Sequence, residues 1–112
     1  MQRRTFVRTG TLLGAVLLAS AMVSPARADE ATVSIDNFTF SPAVVTVKAG
    51  TKVTWMNRDD IPHLVTDAAE KRAFKSPPLD TGDAFSFVFS TPGTYKYFCA
   101  LHPMMQGTVV VK

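Results

Sequence analysis

The chain has only one cysteine and two histidines among its 112 residues. A single cysteine cannot form a disulfide within the chain, even in an oxidising compartment where such a bond would persist. The sequence also lacks a basic patch interleaved with aromatic residues, which is the usual footprint of a nucleic-acid-binding protein. No internal repeat or low-complexity tract is present, so the length and pattern predict one small domain without a nucleic-acid partner.

The first 28 residues predict an export signal. Arginines at positions 3, 4 and 8 precede an apolar run over residues 11–23, which is followed by Ala26-Arg27-Ala28. The run is too short to span a bilayer, and the small residues fit a signal-peptidase site. We therefore predict a signal peptide over residues 1–28, a mature domain over residues 29–112, no membrane span and a periplasmic location. The adjacent arginines resemble a twin-arginine signal, and the general secretory route is the alternative.

Loss of this segment would change the net charge of the protein. The whole chain carries 12 Lys and Arg against 9 Asp and Glu, which gives a formal charge of +3. Four of the arginines lie within residues 1–28, so eight basic and nine acidic residues remain, with a charge of about −1. The basic isoelectric point of the full chain therefore carries no information about the partners of the mature domain.

The mature part shows the two-residue period of β-strands almost throughout. Short segments of alternating apolar and polar residues end in Gly, Pro, Asn or Asp. These segments cover residues 33–40, 45–47, 53–55, 85–89, 95–98 and 107–112. Phe85, Phe87 and Phe89 would give one strand a fully aromatic face. Since no segment has a convincing helical period, the pattern predicts an all-β sandwich or barrel.

One long segment, residues 58–83, does not follow this period. It is polar and proline-containing, and long loops on small domains tend to be functional. It contains His63, while the other histidine lies in the charge-free stretch YFCALHPMM over residues 97–105. The candidate metal ligands are therefore His63, Cys99, His102 and either Met104 or Met105.

These side chains suit copper, because thiolate and thioether are soft donors and imidazole is intermediate. Two histidines and one cysteine with a weak, distant methionine form the usual site of blue-copper electron-transfer proteins. Each residue also has an ordinary explanation, since cysteine and methionine commonly fill cores and a histidine after proline is commonly a solvated turn residue. Packing alone hardly explains the C-x2-H-x2-M spacing together with a remote histidine, so we favour a metal site.

Three segments resemble the cupredoxins, the type 1 blue copper proteins, and most closely their amicyanin/pseudoazurin group. They read FTFSPAVVTVKAGTKVTWMN, DDIPHLV and PGTYKYFCALHPMMQGTVVVK, and the similarity covers residues 31–112. The resemblance implies a Greek-key β-sandwich with one copper ion at its loop-rich end. It also implies that His63, Cys99 and His102 are equatorial ligands and that Met105 is axial, since Met104 does not fit the family's spacing.

Two positions depart from the family pattern. Many members carry Asn after the first histidine and Ser or Thr after the cysteine, where this chain has Leu64 and Ala100. We expect packing to join the two ligand loops at this point, with the backbone N–H of Leu64 left to bond the sulfur of Cys99. The resemblance also implies that Tyr95 is a corner tyrosine whose hydroxyl bonds to backbone.

The resemblance implies an electron carrier that cycles between Cu(II) and Cu(I) and is not an enzyme. It implies a periplasmic dehydrogenase as donor and a c-type cytochrome as acceptor. We expect a monomer that docks transiently through an apolar surface formed by Leu101, Pro103 and Met104 around His102. We also expect His102 to leave Cu(I) and take up a proton in mildly acidic solution.

Other functions would use the same residues. A periplasmic copper carrier or storage protein needs the same soft ligands without redox cycling. A structural zinc site is disfavoured because a thioether is a poor zinc ligand. An enzyme with Cys99 as nucleophile is disfavoured because no obvious carboxylate or amide in the sequence would orient a histidine base.

Overall fold

The computed structural model describes residues 29–112, so the predicted signal peptide lies outside the described residues. Residues 29–112 form eight strands. They are β1 (Glu30–Asp36), β2 (Thr39–Ser41), β3 (Val44–Val47), β4 (Thr51–Asn57), β5 (Thr66–Asp67), β6 (Ala84–Phe89), β7 (Gly93–Cys99) and β8 (His102–Val111). Within this range no helix is long and apolar enough to cross a membrane.

The strands form two four-stranded sheets with the orders β2-β1-β4-β6 and β3-β8-β7-β5. β1 runs parallel to β4, and β3 runs parallel to β8, whereas the other neighbours are antiparallel. A parallel pair requires a crossover connection, so the chain passes between the two sheets rather than meandering within one. This arrangement confirms the predicted all-β Greek-key sandwich.

The core lies between the sheets and follows the two-residue period of the strands. Trp55 of β4 is completely buried at its centre, stacked on Phe74 and in edge contact with Tyr97 of the opposite sheet. The predicted aromatic face of β6 points the same way, with Phe89 buried and Phe85 half-buried against Trp55. Each large side chain buried in this way contributes about 1.5–3 kcal/mol.

The corner tyrosine is also confirmed. The hydroxyl of Tyr95 donates a hydrogen bond of 2.6 Å to the carbonyl of Thr91. This bond joins the start of β7 to the turn that precedes it. It therefore fixes the first residues of β7, the strand that ends at Cys99.

The expectation of one continuous strand over residues 33–40 was wrong. The chain reverses at Asn37 and Phe38, which have φ angles of 52° and 57°, and β2 folds back on β1. Two positive φ values between paired strands are typical of a type I′ hairpin turn. Phe40 is buried as the alternation predicts, whereas Phe38 is 50% exposed.

The segment 58–83 is more ordered than its polar composition indicates. It contains β5 and two isolated bridges, one between His63 and Leu79 and one between Thr66 and Lys75. Phe74 and Leu79 are buried in the core. The segment is therefore anchored at several points, and one of these anchors is the backbone of His63.

Candidate metal centre

The C-terminal part of the site is built by the hairpin between β7 and β8. Cys99 ends β7, and His102 begins β8 and pairs with it across the turn. The register shifts between Phe98 and Cys99, so the strand is irregular where the sulfur lies. Met105 follows on β8 and is 5% exposed, whereas Met104 is 92% exposed. Burial therefore favours Met105 over Met104 as a candidate ligand, as the spacing does.

His63 reaches this end of the sandwich because its backbone is pinned. Its N–H donates to the carbonyl of Leu79 at 3.1 Å, and its carbonyl accepts from the N–H of Leu79 at 2.8 Å. The side-chain amide of Asn57, at the end of β4, donates to the carbonyls of Ile61 and Leu79. Asn57 is completely buried, so β4 rigidly supports the loop that carries His63.

Three of the predicted ligands converge. The Sγ of Cys99 lies 3.7 Å from the Nδ1 of His63 and 3.7 Å from the Nδ1 of His102. The donor atoms of these three residues all lie within 4.8 Å of one another. An ion bound at about 2.0–2.3 Å from sulfur and nitrogen, the distances known for zinc, would fit between atoms so spaced. The residues present therefore fit a metal ion.

The surroundings of Cys99 agree with the sequence-based expectation. The N–H of Leu64 donates to its sulfur at 3.3 Å. Cys99 and His63 are both completely buried, whereas His102 is half-buried. A hydrogen bond to a ligand sulfur stabilises the thiolate and tunes the metal that it binds.

Sequence reasoning missed Asp59. Its Oδ2 lies 2.7 Å from the Nε2 of His63. The carboxylate also accepts the N–H groups of Asn37 at 2.7 Å and Phe38 at 2.9 Å. The bond from the N–H of Phe38, followed by that from His63, lowers the pKa of Asp59 to about 2, although burial of the carboxyl opposes this.

Asp59 is therefore an ionised acceptor at neutral pH. Because an ionised carboxylate can only accept, it suits the tautomer of His63 that has its proton on Nε2, in which Nδ1, 3.7 Å from the Sγ of Cys99, is free to bind a metal. The expectation that no carboxylate orients a histidine was wrong. An acidic residue four positions before His63 was the available signal, but the sequence does not show that the intervening loop turns back on itself.

An apolar surface surrounds His102. Phe38, His102, Pro103, Met104 and Met105 line a shallow depression. Leu101, which is 52% exposed, precedes His102 in the adjoining turn. Pro103 and Met104 were predicted for this surface, whereas Phe38 was not, because it was assigned to a strand.

Known proteins are similar to this chain in sequence as well as in fold. The family model for copper-binding proteins of the plastocyanin/azurin family matches residues 28–112. Amicyanin-alpha from Methylorubrum extorquens is 37% identical over 103 residues, which cover 88% of this chain and 87% of the relative. Amicyanin from Paracoccus denitrificans is 42% identical over 69 residues, which cover 59% of this chain and 53% of the relative.

Solved structures agree with the sequence comparison. A purple cupredoxin from Nitrosopumilus maritimus superposes with a TM-score of 0.69 at 37% identity, covering 73% of this chain and 99% of that one. An oxidised amicyanin variant superposes with a TM-score of 0.71 at 35% identity, covering 83% of this chain and 89% of that one. The chain is a cupredoxin similar to the amicyanins, has copper as its cofactor, and belongs to the copper-binding proteins of the plastocyanin/azurin family.

Proposed function

We propose that this protein is a periplasmic electron carrier that shuttles single electrons between redox proteins. His63, Cys99, His102 and Met105 would hold one copper ion. Bound copper supplies the one-electron Cu(II)/Cu(I) couple. The observation that carries the proposal is the convergence of two imidazole nitrogens on one buried sulfur, each 3.7 Å away.

The protein contributes rigidity to this function. Asn57 holds the loop of His63, and strand pairing holds Cys99 opposite His102. The N–H of Leu64 fixes the sulfur from a third direction. Because these contacts are made by backbone and buried side chains, the donors need to move little when the charge of the site changes. Small movement favours rapid electron transfer.

His102 is the proposed port for the electron. Its ring is half-buried and lies in the apolar depression, where Met104 and Phe38 are well exposed. An uncharged patch of this kind suits weak redox encounters, which bury less than about 1,200 Å² and separate quickly. By similarity to the amicyanins we propose a periplasmic dehydrogenase as donor and a c-type cytochrome as acceptor.

The principal alternative is a copper carrier or storage protein. Such a protein must exchange its metal readily, but two of the proposed ligands, His63 and Cys99, are completely buried. Release of the metal would require the two ligand loops to separate. We therefore favour electron transfer over metal delivery.

Voltammetry and metal exchange of the copper-loaded protein distinguish these functions. We expect a reversible one-electron wave and slow transfer of copper to a chelator in excess. Met104→Ala provides the control, because Met104 is 92% exposed and neighbours the proposed ligand Met105. This variant should retain its copper and its reversible wave. An irreversible wave with rapid loss of copper would favour the carrier.

A further inference from the structure

The turn between β1 and β2 has an unusual residue at its second central position. Asn37 and Phe38 lie between the paired residues Asp36 and Thr39, and both have left-handed φ angles, 52° and 57°. A type I′ turn favours Asn followed by Gly, because glycine has no Cβ to clash. A bulky residue at positive φ is a genuine outlier. Stability of the hairpin alone therefore does not explain Phe38.

The Asp59 carboxylate holds this turn in place. It accepts the N–H groups of Asn37 and Phe38 at 2.7 and 2.9 Å. The backbone of Asp59 is fixed in turn, because its N–H donates to the side chain of Asn57 and its carbonyl accepts from the hydroxyl of Thr81. The turn is thus attached to the same loop that carries His63.

The ring of Phe38 contacts both imidazoles. Its centroid lies 5.6 Å from that of His63 and 5.1 Å from that of His102. The ring planes meet at 87° and 88°, so both contacts are edge-on. The imidazoles themselves lie 5.1 Å apart. Across residues 29–112, His63 has a carboxylate partner in Asp59, whereas no such pair involves His102. Within the described residues, His102 thus has the ring of Phe38 beside it and no carboxylate partner.

We propose that Phe38 and Asp59 act together as positioning residues for the copper site. Asp59 orients His63 directly, and it also holds the turn that presses the ring of Phe38 against His102. One carboxylate thereby restrains the two imidazoles, one by a hydrogen bond and the other through an aromatic contact. The strained backbone at Phe38 is the local cost of placing a ring there. The inference rests on the proposed ligand set.

Phe38→Gly separates this role from a structural one. Glycine suits the left-handed φ of the turn, so the melting temperature of the copper-free variant should stay close to that of the parent. Loss of the ring should nevertheless weaken copper binding by about 10- to 100-fold, the range typical for residues that support metal ligands. The Cu(II) EPR spectrum should change, and electron self-exchange should slow. Phe38→Tyr retains the ring edge and should restore all three properties.

Asp59→Asn tests the second half of the proposal. It should change the same spectrum, and its combination with Phe38→Gly should weaken binding by less than the product of the single effects, because Asp59 acts on His102 through Phe38. Val88→Ala is the control, since Val88 is 49% exposed on β6, outside the turn and the ligand loops. Affinity, EPR spectrum and exchange rate should match those of the parent.

Three outcomes can be told apart. If Phe38→Gly keeps the parent's copper affinity, EPR spectrum and self-exchange rate, the positioning role is wrong while the proposed function stands. If the parent protein itself binds no copper with a thiolate-to-copper absorption band, the proposed function fails first. Independent, fully multiplicative effects of the two substitutions would overturn the coupling between Asp59 and Phe38.

Discussion

Replacement of Gly107 by alanine should destabilise the domain through a single clash. Gly107 pairs with Tyr97 across β7 and β8, and a Cβ at this position would lie 2.3 Å from both Cζ and the hydroxyl oxygen of Tyr97. Ordinary carbon contacts lie at about 3.5–4.0 Å, so the ring would have to move by more than about 1 Å. The rings of Phe40 and Trp55 oppose that movement, because their centroids lie 4.7 Å and 5.3 Å from that of Tyr97.

The expected cost is that of overpacking a core, about 1–3 kcal/mol. For a domain of this size, each kcal/mol lowers the melting temperature by about 4–8 °C, which predicts a decrease of about 4–24 °C. Thermal unfolding of the copper-free protein, followed by circular dichroism, measures it directly. Tyr97 is 1% exposed and cannot escape into solvent.

A second substitution checks the mechanism. Tyr97→Leu removes the atoms that meet the new Cβ, so Gly107→Ala should cost at least about 1 kcal/mol less in that background than in the parent. A melting temperature of Gly107→Ala within about 2 °C of the parent would refute the reasoning. Equal costs in the two backgrounds would show that the clash with Tyr97 is not the cause.

Three further predictions concern the site. Copper should raise the melting temperature, because its proposed ligands lie in separate loops and the metal binds only the folded chain; equal values with and without copper would contradict this. Met105→Ala should shift the reduction potential, whereas Met104→Ala should leave it nearly unchanged; voltammetry compares the two. The pKa of Asp59 is lowered to about 2 in the fold, so its stabilising contribution is complete above the unfolded pKa of about 3.9 and is lost as pH falls toward 2. Copper-free Asp59→Asn should therefore lose less stability over that interval, as urea unfolding at several pH values measures, and an unchanged pH slope would contradict the assignment.

Most of the strands, and the candidate ligands from Cys99 to Met105, could be proposed from the sequence because both depend on short-range patterns. Alternation placed Val33, Trp55 and Phe89 inward, and all three are buried. The donor types and the spacing from Cys99 to Met105 indicated copper. The need for a distant imidazole pointed to His63, and the structure brings its Nδ1 to the sulfur.

What the sequence did not predict depends on backbone conformation and on contacts between loops. Asn37-Phe38 lacks the glycine that would mark a type I′ turn, so the alternation of Phe38 with Phe40 indicated a continuous strand. The role of Asp59 requires its loop to pass beside that turn, which no local pattern encodes. Phe74 and Leu79 are isolated apolar residues in a polar segment, and only tertiary packing makes them anchors.

Leu64 shows how backbone can link the two ligand loops where the side chain is apolar. A side chain that commonly bonds across the two ligand loops is apolar here, yet the N–H of Leu64 still reaches the sulfur of Cys99 at 3.3 Å. Because the donor is backbone, substitution of the side chain does not remove it. The polar link between the side chains of the two loops is what this chain lacks, since Ala100 is also apolar.

Titration of the copper-free protein with Cu(II), followed by absorption and EPR, tests most directly whether the sulfur and the two imidazoles bind one ion together. An intense thiolate-to-copper absorption should grow until one equivalent has been added and then stop, and it should be lost in both Cys99→Ser and His63→Ala. A colourless parent protein at one equivalent, or a His63→Ala variant with the full absorption and an unchanged EPR spectrum, would contradict the proposed site.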